Sequence, residues 1–349
     1  MTNEQQNIKK TLNPKSIIAP LLIGAAVAGY FLYKNRVNLF AVDWSSKGLL
    51  FWLGCSIVVM AMRSVFYMWR LRLLTDGKLT WHKCFDVIVL WEFASCVTPT
   101  MVGGTAVAIY LLNKEKFSVG KSTSIVLITS FLDELFFVLM VPVLIFGVGV
   151  TQLFGFIETS SLASVLDGDR LFSLFFLGYG ILVFYTILFG FGVIVQPHLV
   201  KRILIGIFKL PILKKWQPQI EKIGDDIIAT SEDVKTRPTE WWFRSFLATA
   251  LSWSSRYLAV NCLILAFFAL DSHLLIYARQ LIMWVVLLVT PTPGASGVAE
   301  LMFSSILSDI TTNSKSELLA LFWRGIGYYP YLVLGVMVLP KWIKRVYKG

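Results

Sequence analysis

Val97-Thr98-Pro99-Thr100 and Val289-Thr290-Pro291-Thr292 are one tetrapeptide met twice, each time ending an apolar stretch just ahead of glycines (Gly103 and Gly104; Gly294 and Gly297). Charged residues surround the two copies at matching distances. Arg63 lies 35 residues before Thr98, and Arg256 lies 34 before Thr290. Asp133 and Glu134 follow the first copy by 35 and 36 residues, and Arg324 follows the second by 34. Such a repeat decides the architecture and is sought before anything else. In an apolar chain, paired segments broken by Gly and Pro point to a transport site.

The chain is apolar enough for that rule to apply. Its 349 residues are 56% hydrophobic and 15% charged, and the mean hydropathy is +0.69, outside the usual range of water-soluble domains. We read residues 1–349 as a single integral membrane domain, its longest polar tract a linker over 196–240. The net charge of +11 does not indicate nucleic acid, because the basic residues gather at the ends of apolar runs, as cytoplasmic loops require. Cys55, Cys84, Cys96 and Cys262 lie singly, without metal or disulfide spacing. No cofactor or metal is expected.

Apolar segments long enough to span run over 17–33, 48–69, 122–150, 171–195, 242–270 and 318–339. The first follows Lys9, Lys10 and Lys15 and continues past Ala26-Val27-Ala28 into Tyr30 and Phe31. It reads as a retained helix rather than a cleaved leader. Basic groups (Arg70, Arg72, Lys78 and Lys83; Lys114, Lys116 and Lys121; the linker lysines; Lys341 to Lys348) place one set of ends, with both termini, in the cytoplasm. The expected location is the cell (inner) membrane.

Two shorter segments, 84–112 and 274–307, each hold one copy of the tetrapeptide. The first lies between two cytoplasmic clusters, so it must enter and leave on one face; the second has the mirror arrangement. Pro99 with Gly103 and Gly104, and Pro291, Pro293, Gly294 and Gly297, supply the breaks that a re-entrant hairpin needs. The fold expected is therefore an all-α polytopic membrane protein of about six full spans plus two re-entrant hairpins. Residues 48–150 and 242–339 are its two halves, in inverted topology. The competing possibility is that each broken segment makes two short full spans. Irregular backbone at membrane depth survives only against protein or a polar cavity, so two hairpin tips imply a polar centre.

Arg63, Glu92, Asp133, Glu134, Arg256, Glu300 and Arg324 all fall within apolar segments. Each costs on the order of 2.5–3.5 kcal/mol on insertion scales unless paired or wetted, so we expect them to converge, with carboxylates balancing Arg63, Arg256 and Arg324. Arg63 with Tyr67, and Arg324 with Tyr328, are four residues apart and share a helix face. Candidate substrate-binding residues are these nine together with the two broken tips (Thr98, Pro99, Gly103, Gly104; Thr290, Pro291, Pro293, Gly294, Gly297). Arg–carboxylate pairs that merely tie helices together are the plainer alternative. In the linker, Leu199, Ile203, Leu204 and Ile207 alternate with Lys201 and Arg202 as an amphipathic helix, suited either to the inner leaflet or to the protein's own surface.

The Arg63-Tyr67-Arg70 helix, Thr98-Pro99-Thr100 with Gly103-Gly104, Asp133-Glu134 and above all Pro291-Thr292-Pro293-Gly294-Ala295-Ser296-Gly297-Val298-Ala299-Glu300 resemble the transmembrane region of lysylphosphatidylglycerol synthase, the flippase-like domain. Ala295 departs from the double glycine usual there. The resemblance implies a bacterial or archaeal membrane protein that moves polar lipids between leaflets. It makes membrane phospholipids the expected partners and leaves open a separately encoded lipid-modifying synthase. The soluble synthase part of two-part members would follow the membrane region, and the chain ends at Gly349, so lysyltransferase activity is not expected. The function expected is lipid translocation, without a Gly-x-x-x-x-Gly-Lys-Ser/Thr nucleotide motif. A small-solute transporter of the same architecture and a membrane-embedded lipid-headgroup transferase remain the alternatives.

Overall fold

The computed structural model describes residues 43–97, 101–157, 168–192, 196–209, 217–269, 271–288, 298–310 and 313–348, with Gly29, Tyr33 and Arg36 ahead of them. Among the described residues the ordered elements are all helical. Four helical stretches are long and apolar enough to cross a bilayer: Lys47–Leu74, Val119–Val148, Arg170–Gly190 and Lys315–Val346. They coincide with four of the six spans expected. The expected span 17–33 lies outside the described residues, apart from Gly29 and Tyr33. The sixth, 242–270, is a helix over Thr239–Leu265 but is too polar to be counted with the others.

That polarity is turned inward. Helix α1 (Lys47–Leu74) lies against this helix, α9 (Thr239–Leu265), along most of its length. The register is antiparallel: Ser56 Oγ donates to the Ala259 carbonyl at 2.6 Å, Ser252 Oγ to Arg63 O at 3.1 Å, and Trp241 Nε1 to Leu73 O at 3.2 Å. The buried face of α9 carries Ser245, Ala248, Thr249, Ser252, Ser255 and Ala259, side chains small enough to bring two backbones close within a membrane. Large apolar groups on the outer faces, among them Phe51, Ile57 and Val58 on α1, are exposed, as contact with lipid demands.

The first broken segment forms α2 (Trp81–Val97) and α3 (Met101–Lys114), which pack on each other. The return of the chain is tight at Gly104, where a Cβ would overlap Ser95 Oγ and stand 3.2 Å from Ser95 Cα. Asp86 near the start and Glu115 just past the end of this pair both accept from Arg345, and Lys83 reaches Glu115 at 3.0 Å. One arginine thus clasps the open end of the hairpin. Arg345 belongs to the chain-terminal helix.

Helix α4 (Val119–Val148) starts at Ser118, whose side chain accepts from Lys121 N, and ends at Gly149, φ 86°. Pro142 within it can donate nothing to the Val138 carbonyl; the Tyr179 hydroxyl donates there instead, at 2.9 Å. Tyr179 lies on α6 (Gly168–Gly190), which follows the short α5 (Val150–Phe154) and a 3-10 turn, Gly155–Ile157. Instead of one amphipathic helix, the linker forms two, α7 (Pro197–Ile207) and α8 (Gln217–Lys235). Helix α8 is tied to α4 by Lys121–Asp233 at 2.6 Å and by Thr230 Oγ1 to Ser124 Oγ at 2.9 Å.

The second broken segment forms α10 (His273–Leu288) and α11 (Val298–Ser305), also packed together. Arg279 in α10 donates to both oxygens of Asp309, at 2.6 and 2.7 Å, and to Ile306 O at 2.9 Å. Its other nitrogen donates to Gln152 O. The mouth of this hairpin is therefore also held by one buried arginine. The chain closes with α12 (Asn313–Gly327) and α13 (Tyr329–Lys348), nearly continuous through Tyr328. Gly335 of α13 abuts Phe93 of α2, where any Cβ would overlap the ring.

The two mouths lie at opposite ends of the α1–α9 pair. His273, which opens the second hairpin, bonds Asn261 near the end of α9 through its carbonyl at 2.9 Å. The first hairpin starts beside the other end, where Arg72 of α1 donates to Leu79 O at 2.8 Å. Asp86 and Arg279, the charged residues near the two mouths, are 6% and 1% exposed.

Candidate functional site

Three ion pairs sit deep between the helices. Arg63 Nη2 donates to Glu92 Oε1 at 2.6 Å, joining α1 to the first hairpin, and its Nη1 donates to the Tyr331 hydroxyl at 2.5 Å. The same hydroxyl shares a 2.8 Å hydrogen bond with Ser64. Arg324 Nε and Nη2 donate to the two oxygens of Glu300, at 2.9 and 3.3 Å. Glu300 occupies the first turn of α11, where a carboxylate also meets the positive end of the helix dipole.

The third pair differs from expectation. Asp133 is held by Arg70, at 2.5 and 3.3 Å, and accepts from Trp253 Nε1 at 2.7 Å. The sequence placed Arg70 among the cytoplasmic basic residues, yet it is 2% exposed. The signal was present: Arg63, Tyr67 and Arg70 fall at spacings of four and three, one face of α1. Tyr67 lies between the two guanidinium groups, its ring 5.9 Å from Arg63 and 4.4 Å from Arg70.

Tyr328 links the hairpins. Its hydroxyl donates to Cys96 O, in the last turn of α2, at 3.1 Å, and its ring lies 4.7 Å below the Arg324 guanidinium. The inner end of the first hairpin is thus one residue removed from the Glu300–Arg324 pair at the inner end of the second. Arg63, Tyr67, Glu92, Asp133, Glu300, Arg324 and Tyr328 come together, joined by Arg70, Ser64, Thr249, Trp253 and Tyr331, which sequence reasoning had not singled out for the site. Tyr331 was detectable as the position three after Tyr328 on the same face.

Two candidates stand apart. Glu134 points away from this cluster toward Tyr185 of α6; its charged neighbour is Asp133, and its buried Oε2 has no hydrogen-bond partner. Arg256 comes close to Arg63 and feels Glu92, but among the described residues it makes no ion pair; its guanidinium lies 5.5 Å from the Trp253 ring. The expected balance of the carboxylates against Arg63, Arg256 and Arg324 is altered because Arg70, two helical turns beyond Arg63 on α1, takes Asp133 with both nitrogens. Gly103 lies in the first turn of α3, and Gly104 forms the close contact described above. Thr98, Pro99, Thr290, Pro291, Pro293, Gly294 and Gly297 lie outside the described residues.

Among the described residues no three His, Cys, Asp or Glu side chains gather as metal ligands would. Chemically, the cluster offers fixed guanidinium groups and tyrosine hydroxyls at the inner ends of two broken segments.

Over residues 17–335 the chain matches the family described as lysylphosphatidylglycerol synthase TM region. It is similar to a UPF0104 membrane protein of Archaeoglobus fulgidus, 24% identical over 334 residues, an alignment that covers 91% of this chain and 94% of the relative. No solved structure matches it.

Proposed function

The chain belongs to the lysylphosphatidylglycerol synthase transmembrane-region family, and from that premise we propose that this multi-pass membrane protein moves polar lipids between leaflets. The observation that carries the proposal is the meeting of the two hairpins. Their mouths open at opposite ends of the α1–α9 pair, and their inner ends are bridged by Arg63, Glu92, Tyr328, Arg324 and Glu300. Polar groups placed so deep usually mark a substrate path.

In this proposal the hairpins are re-entrant, the halves 48–150 and 242–339 form an inverted repeat, and the termini are cytoplasmic. A lipid headgroup enters between the halves while its acyl tails stay in the bilayer. Helices α1 and α9, equivalent members of the two halves, serve as the pivot, because their backbones are tied along the whole contact. Away from that pivot, the hydrogen bonds that cross between halves include Tyr328 to Cys96 O, Arg63 and Ser64 to Tyr331, and Trp253 to Asp133. A neutral hydrogen bond contributes about 0.5–1.5 kcal/mol net and one to a charged group about 1.5–3 kcal/mol, so rocking one half against the other exchanges these bonds for contacts to the headgroup. The protein carries lipid and makes none; any modification belongs to a separate synthase.

Reconstitution tests this directly. Liposomes of phosphatidylcholine with purified protein and a trace of headgroup-labelled fluorescent lipid should expose inner-leaflet label to dithionite faster than empty liposomes do. Glu300→Gln should slow that exchange at least tenfold. Equal rates with and without protein would refute translocation.

A further inference from the structure

The site holds more positive than negative charge, and one residue accounts for the excess. Arg63, Arg70 and Arg324 each have a carboxylate, in Glu92, Asp133 and Glu300. Arg256 has none among the described residues. The tip segments 98–100 and 289–297 contribute no charged side chain, and Glu134 faces Tyr185 on α6 rather than this cluster. Arg256 is half-buried in α9, near enough to Arg63 for the two cations to repel each other. Glu92, already paired with Arg63, attracts it from a distance, and the Trp253 ring lies 5.5 Å from its guanidinium; among the described residues it makes no ion pair of its own. An arginine among apolar helices without an ion pair of its own is unfavourable, and neighbouring Arg63 adds to that. Such a cation is relieved when an anion arrives.

The chemistry of the ligand follows from what is spare. A guanidinium offers five donors in a planar fork, which suits the two free oxygens of a phosphate diester. The excess is one charge, and a phosphate diester carries one negative charge. A cationic aminoacyl group would need a carboxylate, and the three in the cluster already hold arginines.

We propose that Arg256 is the docking point for a singly charged phosphate diester, so that the site selects headgroups of net negative charge over zwitterionic and cationic ones. This rests on the translocase proposal for its physiological sense, but it is a statement about binding and is tested as one. Full-length protein in phosphatidylcholine nanodiscs is titrated with fluorescent phosphatidylglycerol or fluorescent phosphatidylcholine, and tryptophan-to-label energy transfer is read. The wild type should prefer phosphatidylglycerol at least tenfold. Arg256→Gln should abolish that preference and Arg256→Lys should keep part of it, since the charge remains and the fork is lost. Thermal unfolding should place Arg256→Gln no lower than wild type, because an unpaired buried charge has been removed.

Glycerophosphoglycerol, the same headgroup without tails, distinguishes the source of the anion. Displacement of the label identifies an anion site open to water-soluble ligands as well; failure to displace, with Arg256 dependence intact, identifies a lipid site. Equal affinity for the two lipids in the wild type, unchanged preference in Arg256→Gln, or marked destabilisation of that variant would each overturn the proposal. Arg256-dependent binding without scrambling would remove the translocase proposal and leave this one standing. Scrambling indifferent to headgroup charge and to Arg256 would do the reverse.

Discussion

Asp133→Asn is the substitution whose outcome the geometry constrains most tightly. The wild-type carboxylate accepts from both Arg70 nitrogens, at 2.5 and 3.3 Å, and from Trp253 Nε1 at 2.7 Å. An amide of the same shape keeps one oxygen acceptor and turns its NH2 toward another donor. Arg70, 2% exposed, would then keep Thr249 Oγ1 at 3.0 Å and the Tyr67 ring at 4.4 Å, with a neutral amide oxygen in place of its counter-charge. Removing one member of a buried ion pair costs about 3–5 kcal/mol. The Asp133 side chain is 22% exposed, so the lower end applies: about 3 kcal/mol, or roughly a hundredfold in the folded-to-unfolded ratio. The assay is SDS-driven unfolding in mixed micelles, followed by circular dichroism. Arg70→Met combined with Asp133→Leu supplies the control. With no charge left to bury, the double variant should lose only about 1 kcal/mol, mostly from the stranded Trp253 donor. A loss below about 1 kcal/mol in Asp133→Asn, or a double variant as weak as the sum of its single changes, would show that the pair is not coupled as described.

Other predictions probe the packing and the hairpin mouths. Gly335→Ala drives a Cβ into the Phe93 ring and should destabilise by about 1–3 kcal/mol; Phe93→Leu in the same chain should recover much of that in the same unfolding assay. Arg279→Met strands Asp309, Ile306 O and Gln152 O, and should cost about 3 kcal/mol with faster amide exchange over 298–310. Unchanged protection there would contradict the clasp. At the turn after α1, the hydrogen bond from Arg237 holds the Asp76 carboxyl below its ordinary value, more strongly than burial raises it. A depressed folded-state value means this contribution is complete above about pH 4 and is lost as pH falls through the lowered value. Asp76→Asn should therefore lower stability at pH 7 by under about 1 kcal/mol for so exposed a pair, seen as a slight drop in melting temperature. The gap to wild type should narrow as pH falls below the ordinary carboxylate range.

Much was legible in the order of residues because it depends on local composition. Length and apolarity mark the spans, since lipid leaves a helix no outside partner for its backbone. The Val-Thr-Pro-Thr copies mark two broken segments, because proline and glycine interrupt helices wherever they fall. The four-residue spacing of Arg63 with Tyr67 and of Arg324 with Tyr328 predicted shared faces, and both rings lie beside their arginines. Pairing between helices was not legible. Which carboxylate meets which arginine depends on the rotation and offset of elements far apart in the chain, and periodicity within one helix carries neither. Arg70, in the last turns of a long helix, was read with the cytoplasmic basic residues; the packing of α1 put it beside Asp133 instead. With Asp133 taken by Arg70, Arg256 makes no ion pair among the described residues. The sequence by itself determined a membrane chain with two broken segments and an inventory of buried charges. Tertiary packing alone decided which charge was left over, because electrostatic partners are chosen by distances of a few ångströms that only the assembled helices define.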